Sequence, residues 1–312
     1  MSILVVGSVA LDAIETPFQK ADRVLGGAAS FFATAASLYD EVNLVAIVGS
    51  DFPREHLEFW QRHRIDLSGL QIQEGKTFSW GGRYHLDMNH RDTLYTELGV
   101  YADFHPVVPE TYRQSPLLFL ANIQPSLQLE VLEQAPNARL TVLDTMELWI
   151  TTARQELTEI IKRVDVLLMS EEEVRQYTEQ ASILAGARQL LDMGLKYLVV
   201  KLGSYGALLF GADATYFSAP AYPLEEVIDP TGAGDAFAGG LLGYLSTVEP
   251  DSNGAYSAED MKRAVVHGNI IGSFACSDFS INGLRELSIA DIEQRYNELV
   301  TYSHFDPYWN VR

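Results

Sequence analysis

The sequence predicts an α/β fold: a central, mostly parallel sheet with helices on both faces, plus a small antiparallel β lid. Three observations predict it. Short apolar runs alternate with stretches of helical periodicity along most of the chain, the pattern of strands joined by crossover helices. Several runs are apolar throughout, as strands covered on both faces must be. Between residues 70 and 97 the rhythm breaks into short, aromatic-rich runs punctuated by Gly75, Gly81, Gly82 and Asn89, a hairpin pattern. With 312 residues, 47% of them hydrophobic, the chain can bury a large core. Residues 1–312 therefore read as one domain, with a lid formed mainly by about 70–97 and a segment near 10–18.

In order along the chain, Ile3-Leu4-Val5-Val6 opens a first strand over 3–7, and an Ala-rich helix over 28–39 follows a glycine pair. A strand over 42–48 precedes the lid runs Thr77-Phe78-Ser79-Trp80 and Arg83-Tyr84-His85-Leu86. Strands over 117–121, 140–144 and 166–169 then alternate with helical patterns over 127–134 and 171–177. The Glu171-Glu172-Glu173 run fits a solvated helix start. A helix over 183–193 leads to a strand over 197–201, and 207–210 with 215–218 form a hairpin turning at Gly211-Ala212-Asp213. Helices over 233–246, 258–274 and 291–300 close the chain.

Composition excludes some partners. Lys plus Arg number 22 and Asp plus Glu 42, a formal charge of −20. Nucleic acid and anionic membranes need a basic footprint, so neither is expected. The single Cys276 rules out an internal disulfide framework and fits a reducing cytosol. No cationic segment precedes the first apolar run and Asp12 interrupts it early, so it reads as a strand and not as a signal peptide. No apolar stretch approaches the roughly 20 residues of a membrane span. A cytoplasmic protein is expected.

The chemistry concentrates in Val227-Ile228-Asp229-Pro230-Thr231-Gly232-Ala233-Gly234-Asp235. A strand end breaks at Asp229-Pro230, two glycines open a helix of small residues, and a carboxylate stands in its first turn. Unpaired amides at a helix N-terminus attract anions. An acid beside them suits a base that deprotonates a hydroxyl attacking phosphorus. The same residues also suit a plain helix start whose acid favours the dipole. A dinucleotide-binding dehydrogenase is excluded, because Gly7 stands alone after the first strand without a G-x-G-x-x-G opening.

Three segments share one pattern: Leu25-Gly26-Gly27-Ala28-Ala29, the run from Val199 through Lys201, Gly203, Ser204 and Gly206 to Ala207, and 229–237. In this order they resemble the PfkB family of ribokinase-type carbohydrate kinases, which includes adenosine and other nucleoside kinases. The resemblance covers nearly the whole chain. It implies a ribokinase-like fold and an ATP- and Mg²⁺-dependent transfer of the γ-phosphoryl group to a hydroxyl of a small sugar or ribonucleoside. Asp235 resembles the catalytic base, and the amides of Gly232, Ala233 and Gly234 the anion hole. Asp229 and Thr231 match positions that help ligate a monovalent cation such as K⁺, although Thr231 is equally suited to cap the helix. Asp12 matches an acid that grips acceptor hydroxyls, beside Gly26 and Gly27. Lys201, Gly203, Ser204 and Gly206 resemble the nucleotide loop, and His267 and Asn269 fall in a segment that flanks the adenine. Lys201 either reaches a phosphate or snorkels to solvent.

Two departures stand out. Ser30-Phe31-Phe32 occupies the stretch where the family often carries a substrate-binding Asn. Ser170 replaces the Asn of an Asn-x-x-Glu motif near magnesium, while Glu173 keeps the acid. Phe31 and the lid aromatics Phe78, Trp80 and Tyr84 suit stacking on a base or simply a small lid core. Asn89, Arg91 and Asp92 in the lid's polar turn offer acceptor contacts, and 144–149 lies just past a strand end, where open sheets place ligands. A lid of this kind also offers a homodimer surface. A catalytically silent nucleotide- or sugar-binding regulator on the same scaffold is the alternative reading.

Overall fold

A computed structural model describes residues 1–304. Its strands are β1 (Ile3–Val6), β2 (Ala10–Glu15), β3 (Lys20–Gly26), β4 (Val42–Gly49), β5 (Ile65–Gln73), β6 (Ser79–Tyr84) and β7 (Arg91–Glu97), followed by β8 (Leu117–Leu120), β9 (Leu140–Asp144), β10 (Val166–Ser170), β11 (Tyr197–Lys201), β12 (Ala207–Gly211) and β13 (Tyr216–Ala219). The large sheet runs β13-β12-β11-β10-β9-β8-β1-β4-β5. Every pairing from β11 to β5 is parallel, and β12 and β13 add an antiparallel edge.

The apolar runs explain the layering. Side chains alternate across a strand, so Ile3, Val5, Leu117 and Phe119 enter the core on one face, whereas Leu4, Val6, Leu118 and Leu120 enter the core on the other. A strand buried on both faces can carry no polar alternation. On the first face, helix Ala233–Ser246 lies between helices Ala28–Ala36 and Ala258–Ala275. Its small residues are required by this close approach: a methyl on Gly239 would stand 2.7 Å from the Phe32 carbonyl oxygen, and one on Gly240 2.8 Å from that of His267.

The lid is a second sheet, ordered β3-β2-β6-β7. The β2/β3 and β6/β7 pairs are antiparallel, and the two hairpins join through a parallel β2/β6 contact. The expected lid span is corrected at its start. Residues 70–73 belong to β5, which pairs with β4 as an edge of the main sheet. That edge strand is only partly buried and carries Asp66, Ser68, Gln71 and Gln73, so it lacks the continuous apolar run of its neighbours. The N-terminal share of the lid is larger than 10–18 and extends through β3 to Gly26. Helices Arg54–Arg62, Glu147–Thr152 and Arg154–Ile161 also join the expected ones. Among the described residues no helix is long and apolar enough to cross a membrane.

Candidate active site

The parallel strands end in polar residues on one side of the sheet. Asp144 closes β9, Ser170 closes β10 and Lys201 closes β11, with Leu168 level with Asp144 and Ser170 level with Lys201. Helix Ala233–Ser246 brings its N-terminus to this edge. Gly232 caps it with φ 74°, in the left-handed region that costs a side-chain-bearing residue strain. Space forbids one as well, since a methyl there would lie 2.3 Å from the buried Phe31 ring. Phe31 is thus the floor beneath the turn. The Ala233 N–H donates to the Pro230 carbonyl at 3.2 Å, whereas the amides of Gly232 and Gly234 find no backbone acceptor among the described residues. Those two are the groups open to an anion.

Asp235 stands in the first turn of this helix. Burial pushes its carboxyl up to about 7, Asp144 adds to the rise, and Lys201 and Arg91 counter it. An acid poised near neutrality suits a general base. Lys201 sits between the carboxylates, with Nζ donating to Asp144 Oδ1 at 2.8 Å and Oδ2 at 2.9 Å. Burial opposes the ammonium charge, but Asp144, Glu173 and Asp235 hold its pKa above the usual lysine value. Lys201 therefore neither snorkels to solvent nor hangs free. Its clamp by Asp144 joins positions 57 apart in sequence, which no local pattern announces.

Glu173 and Ser170 form a reciprocal cap on helix Glu171–Thr178: Ser170 N–H donates to Glu173 Oε2 at 2.7 Å, and Glu173 N–H donates to Ser170 Oγ at 3.1 Å. Serine at 170 thus supplies a helix cap. Burial and nearby Asp144 raise the Glu173 carboxyl to about 7 against the opposing pull of Lys201.

On the lid side, Asp12 is 5% exposed. Its Oδ1 accepts from the Trp80 N–H at 3.3 Å, and burial raises its carboxyl to about 7, helped by the charges of Asp229 and Asp235. Gly26 makes room for this carboxylate, since a methyl there would fall 1.9 Å from Asp12 Oδ2. Asp229 Oδ1 accepts from the Thr231 N–H at 2.9 Å and Oδ2 from the Ser280 N–H at 3.2 Å. Thr231 Oγ1 donates to the Tyr84 hydroxyl at 3.1 Å, tying the lid to the glycine turn that opens helix Ala233–Ser246. These oxygens serve as loop ties in the structure. Arg91 crosses the Trp80 ring at 5.7 Å and is the lid cation whose charge reaches Asp235.

The remaining expected positions divide. Gly203 and Ser204 lie on the short turn after β11, closed by Gly206, and the lid residue Asn89 reaches this turn: a methyl on Gly203 would stand 3.3 Å from Asn89 Oδ1. Asn89 thus faces the turn after β11. Asn269 donates to the carbonyls of Ala219 and Pro220 at 3.2 and 3.0 Å. His267 is boxed in by Tyr39, Tyr244 and Tyr296, with Nδ1 2.9 Å from the Tyr39 hydroxyl, and burial lowers its pKa to about 4. Packing accounts for it.

A family model described as pfkB family carbohydrate kinase matches residues 2–284. The chain belongs to the pfkB family of carbohydrate kinases. It is a carbohydrate or nucleoside kinase of that family, similar to a cytidine kinase of Thermococcus kodakarensis, 34% identical over 80% of this chain and 90% of the relative. It is also similar to a 2-dehydro-3-deoxygluconokinase of Thermoproteus tenax, 27% identical over 73% of this chain and 75% of the relative. Among solved structures, a putative ribokinase II of E. coli superposes with a TM-score of 0.79 at 18% identity, covering 95% of this chain and 99% of that one. A nucleoside kinase of Methanocaldococcus jannaschii superposes with a TM-score of 0.74 at 20% identity, covering 95% and 98%. These likenesses establish the shared fold.

Proposed function

We propose that this pfkB-family kinase transfers the γ-phosphoryl group of ATP to a ribonucleoside hydroxyl, with a pyrimidine nucleoside such as cytidine the first acceptor to try. One observation carries the chemistry: Asp235, its carboxyl raised to about 7, stands on the same turn as the open amides of Gly232 and Gly234. Asp235 takes the acceptor's proton while the two amides receive charge on the transferred group. Asp12, beside Gly26 and Gly27, grips acceptor hydroxyls. The turn from Gly203 to Gly206 holds the nucleotide. The name of the Thermococcus relative and the lid's Trp80, partly exposed beneath Arg91, support a base-bearing acceptor over a bare sugar.

Among the described residues no three His, Cys, Asp or Glu side chains are grouped to hold a metal ion. Glu173, buried beside Asp144 and Lys201, is the residue that would hold, through water, a magnesium ion arriving with ATP. The ion's chemistry would be to neutralise phosphate charge.

An ADP-release screen over ribonucleosides and small sugars, with and without K⁺, tests the reading. Cytidine or a close analogue should turn over fastest, and Asp235→Asn should slow that turnover about 10²–10⁴-fold. Turnover of sugars alone would sink the acceptor assignment. Ligand binding with no ADP release from any acceptor would favour a silent regulator.

A further inference from the structure

We propose that Lys201, clamped by Asp144, completes the anion hole by donating to the oxygens of the γ-phosphoryl group as it passes to the acceptor, an inference that rests on the kinase reading above. Four observations carry it. The Lys201 ammonium meets both Asp144 carboxylate oxygens, at 2.8 and 2.9 Å. The two side chains are only 19% and 5% exposed. A methyl on Gly234 would stand 3.2 Å from Nζ, so the ammonium packs against the turn bearing the open Gly232 and Gly234 amides, one residue before Asp235. Among the described residues Asp144 is the only hydrogen-bond partner of Nζ, although an ammonium carries three donors.

A clamped ammonium with donor capacity to spare is a fixed point charge, and fixed charges aimed at developing negative charge are what accelerate phosphoryl transfer. During the step the acceptor oxygen forms its bond to γ-phosphorus and gives its proton to Asp235. The bond from γ-phosphorus to the bridging oxygen breaks, and its electron pair leaves with ADP. Lys201 keeps its proton throughout. Asp144, touching no reacting atom, is a positioning residue. The remaining charged groups around the ammonium are Glu173 on helix Glu171–Thr178 and Asp235 on helix Ala233–Ser246.

The rival explanation is that Lys201 only neutralises a buried Asp144. Three proteins separate the two: Lys201→Met, Asp144→Asn, and the double variant Lys201→Met with Asp144→Leu, which removes both buried charges together and is often tolerated by a fold. Thermal melting checks that each is folded. Lys201→Met should lower kcat about 10²–10³-fold, the scale of losing one preorganised donor, with the acceptor KM little changed. It should also weaken a non-hydrolysable ATP analogue about tenfold more than ADP, since only the analogue carries the γ-phosphate that a charged donor contacts. Asp144→Asn should lower kcat less than Lys201→Met does, and the double variant should stay as slow as Lys201→Met. Restored turnover in the double variant would overturn the proposal, as would equal losses of ADP and analogue affinity. The binding measurement needs no acceptor, so a wrong choice of nucleoside leaves it intact.

Discussion

Asp12 and Asp235 are both raised to about 7 chiefly by burial, and the proposed reaction gives them different tasks on the same acceptor. Asp235 must be ionised to accept a proton, so kcat/KM should climb as pH rises through about 7 and level off above it. A pH profile checks this, and a rate that is flat from pH 5 to 9 with chemistry rate-limiting would count against a base at 235. Asp235→Asn should cost about 10²–10⁴-fold in kcat, the range for a lost general base, with nucleotide affinity largely kept. At Gly26, an added methyl would collide with Asp12 Oδ2 at 1.9 Å. Gly26→Ala should therefore raise the acceptor KM while leaving ADP binding unchanged, a split that isothermal titration and steady-state kinetics read directly. The glycine pair was legible in the sequence. That its first member exists to seat Asp12, across a strand pair, was not.

At the scale of elements, the site is one helix N-terminus pressed against the ends of β9, β10 and β11 and roofed by the lid. Gly232 is the joint, with positive φ and the Phe31 ring beneath it. Gly232→Ala forces both strain and a clash, so a loss of about 1–3 kcal/mol from the backbone alone is expected, together with a fall in kcat of about 10²–10³-fold from the displaced amide. Denaturant unfolding and kinetics measure the two separately. The sequence announced this turn because its residue types are dictated locally. It hid the edge strand β5 and helix Arg54–Arg62, where partial exposure dilutes the apolar pattern. Phe31 as an acceptor contact stays an expectation; what the tertiary fold adds is that its ring packs beneath Gly232.

For the whole molecule, buried acids should shape stability as well as rate. The carboxyls of Asp12 and Asp235 move from an ordinary 3.8 to about 7 on folding, so between those values the folded state holds protons the unfolded chain releases. Their neutral forms are accommodated at low pH, and stability falls as pH rises from 3.8 to about 7 and levels off above. Asp12→Asn and Asp235→Asn should each melt higher than the parent at pH 8, and that advantage should shrink towards pH 5. Melting curves at the two pH values decide it; an advantage independent of pH would mean that charge burial is not its source. The sequence by itself determined the layered α/β fold, the glycine turn at 231–234 and the place of Asp235 in the first turn of its helix, because apolar runs, glycine spacing and a helix-opening acid act over a few residues. Only the tertiary structure decided that Asp144 clamps Lys201 beside that turn, that Tyr84 of the lid ties to Thr231, and that His267 belongs to an aromatic box. Those contacts join residues 57, 147 and 228 apart, and burial, which sets the charge of each acid, exists only once the sheet, the helices and the lid have come together.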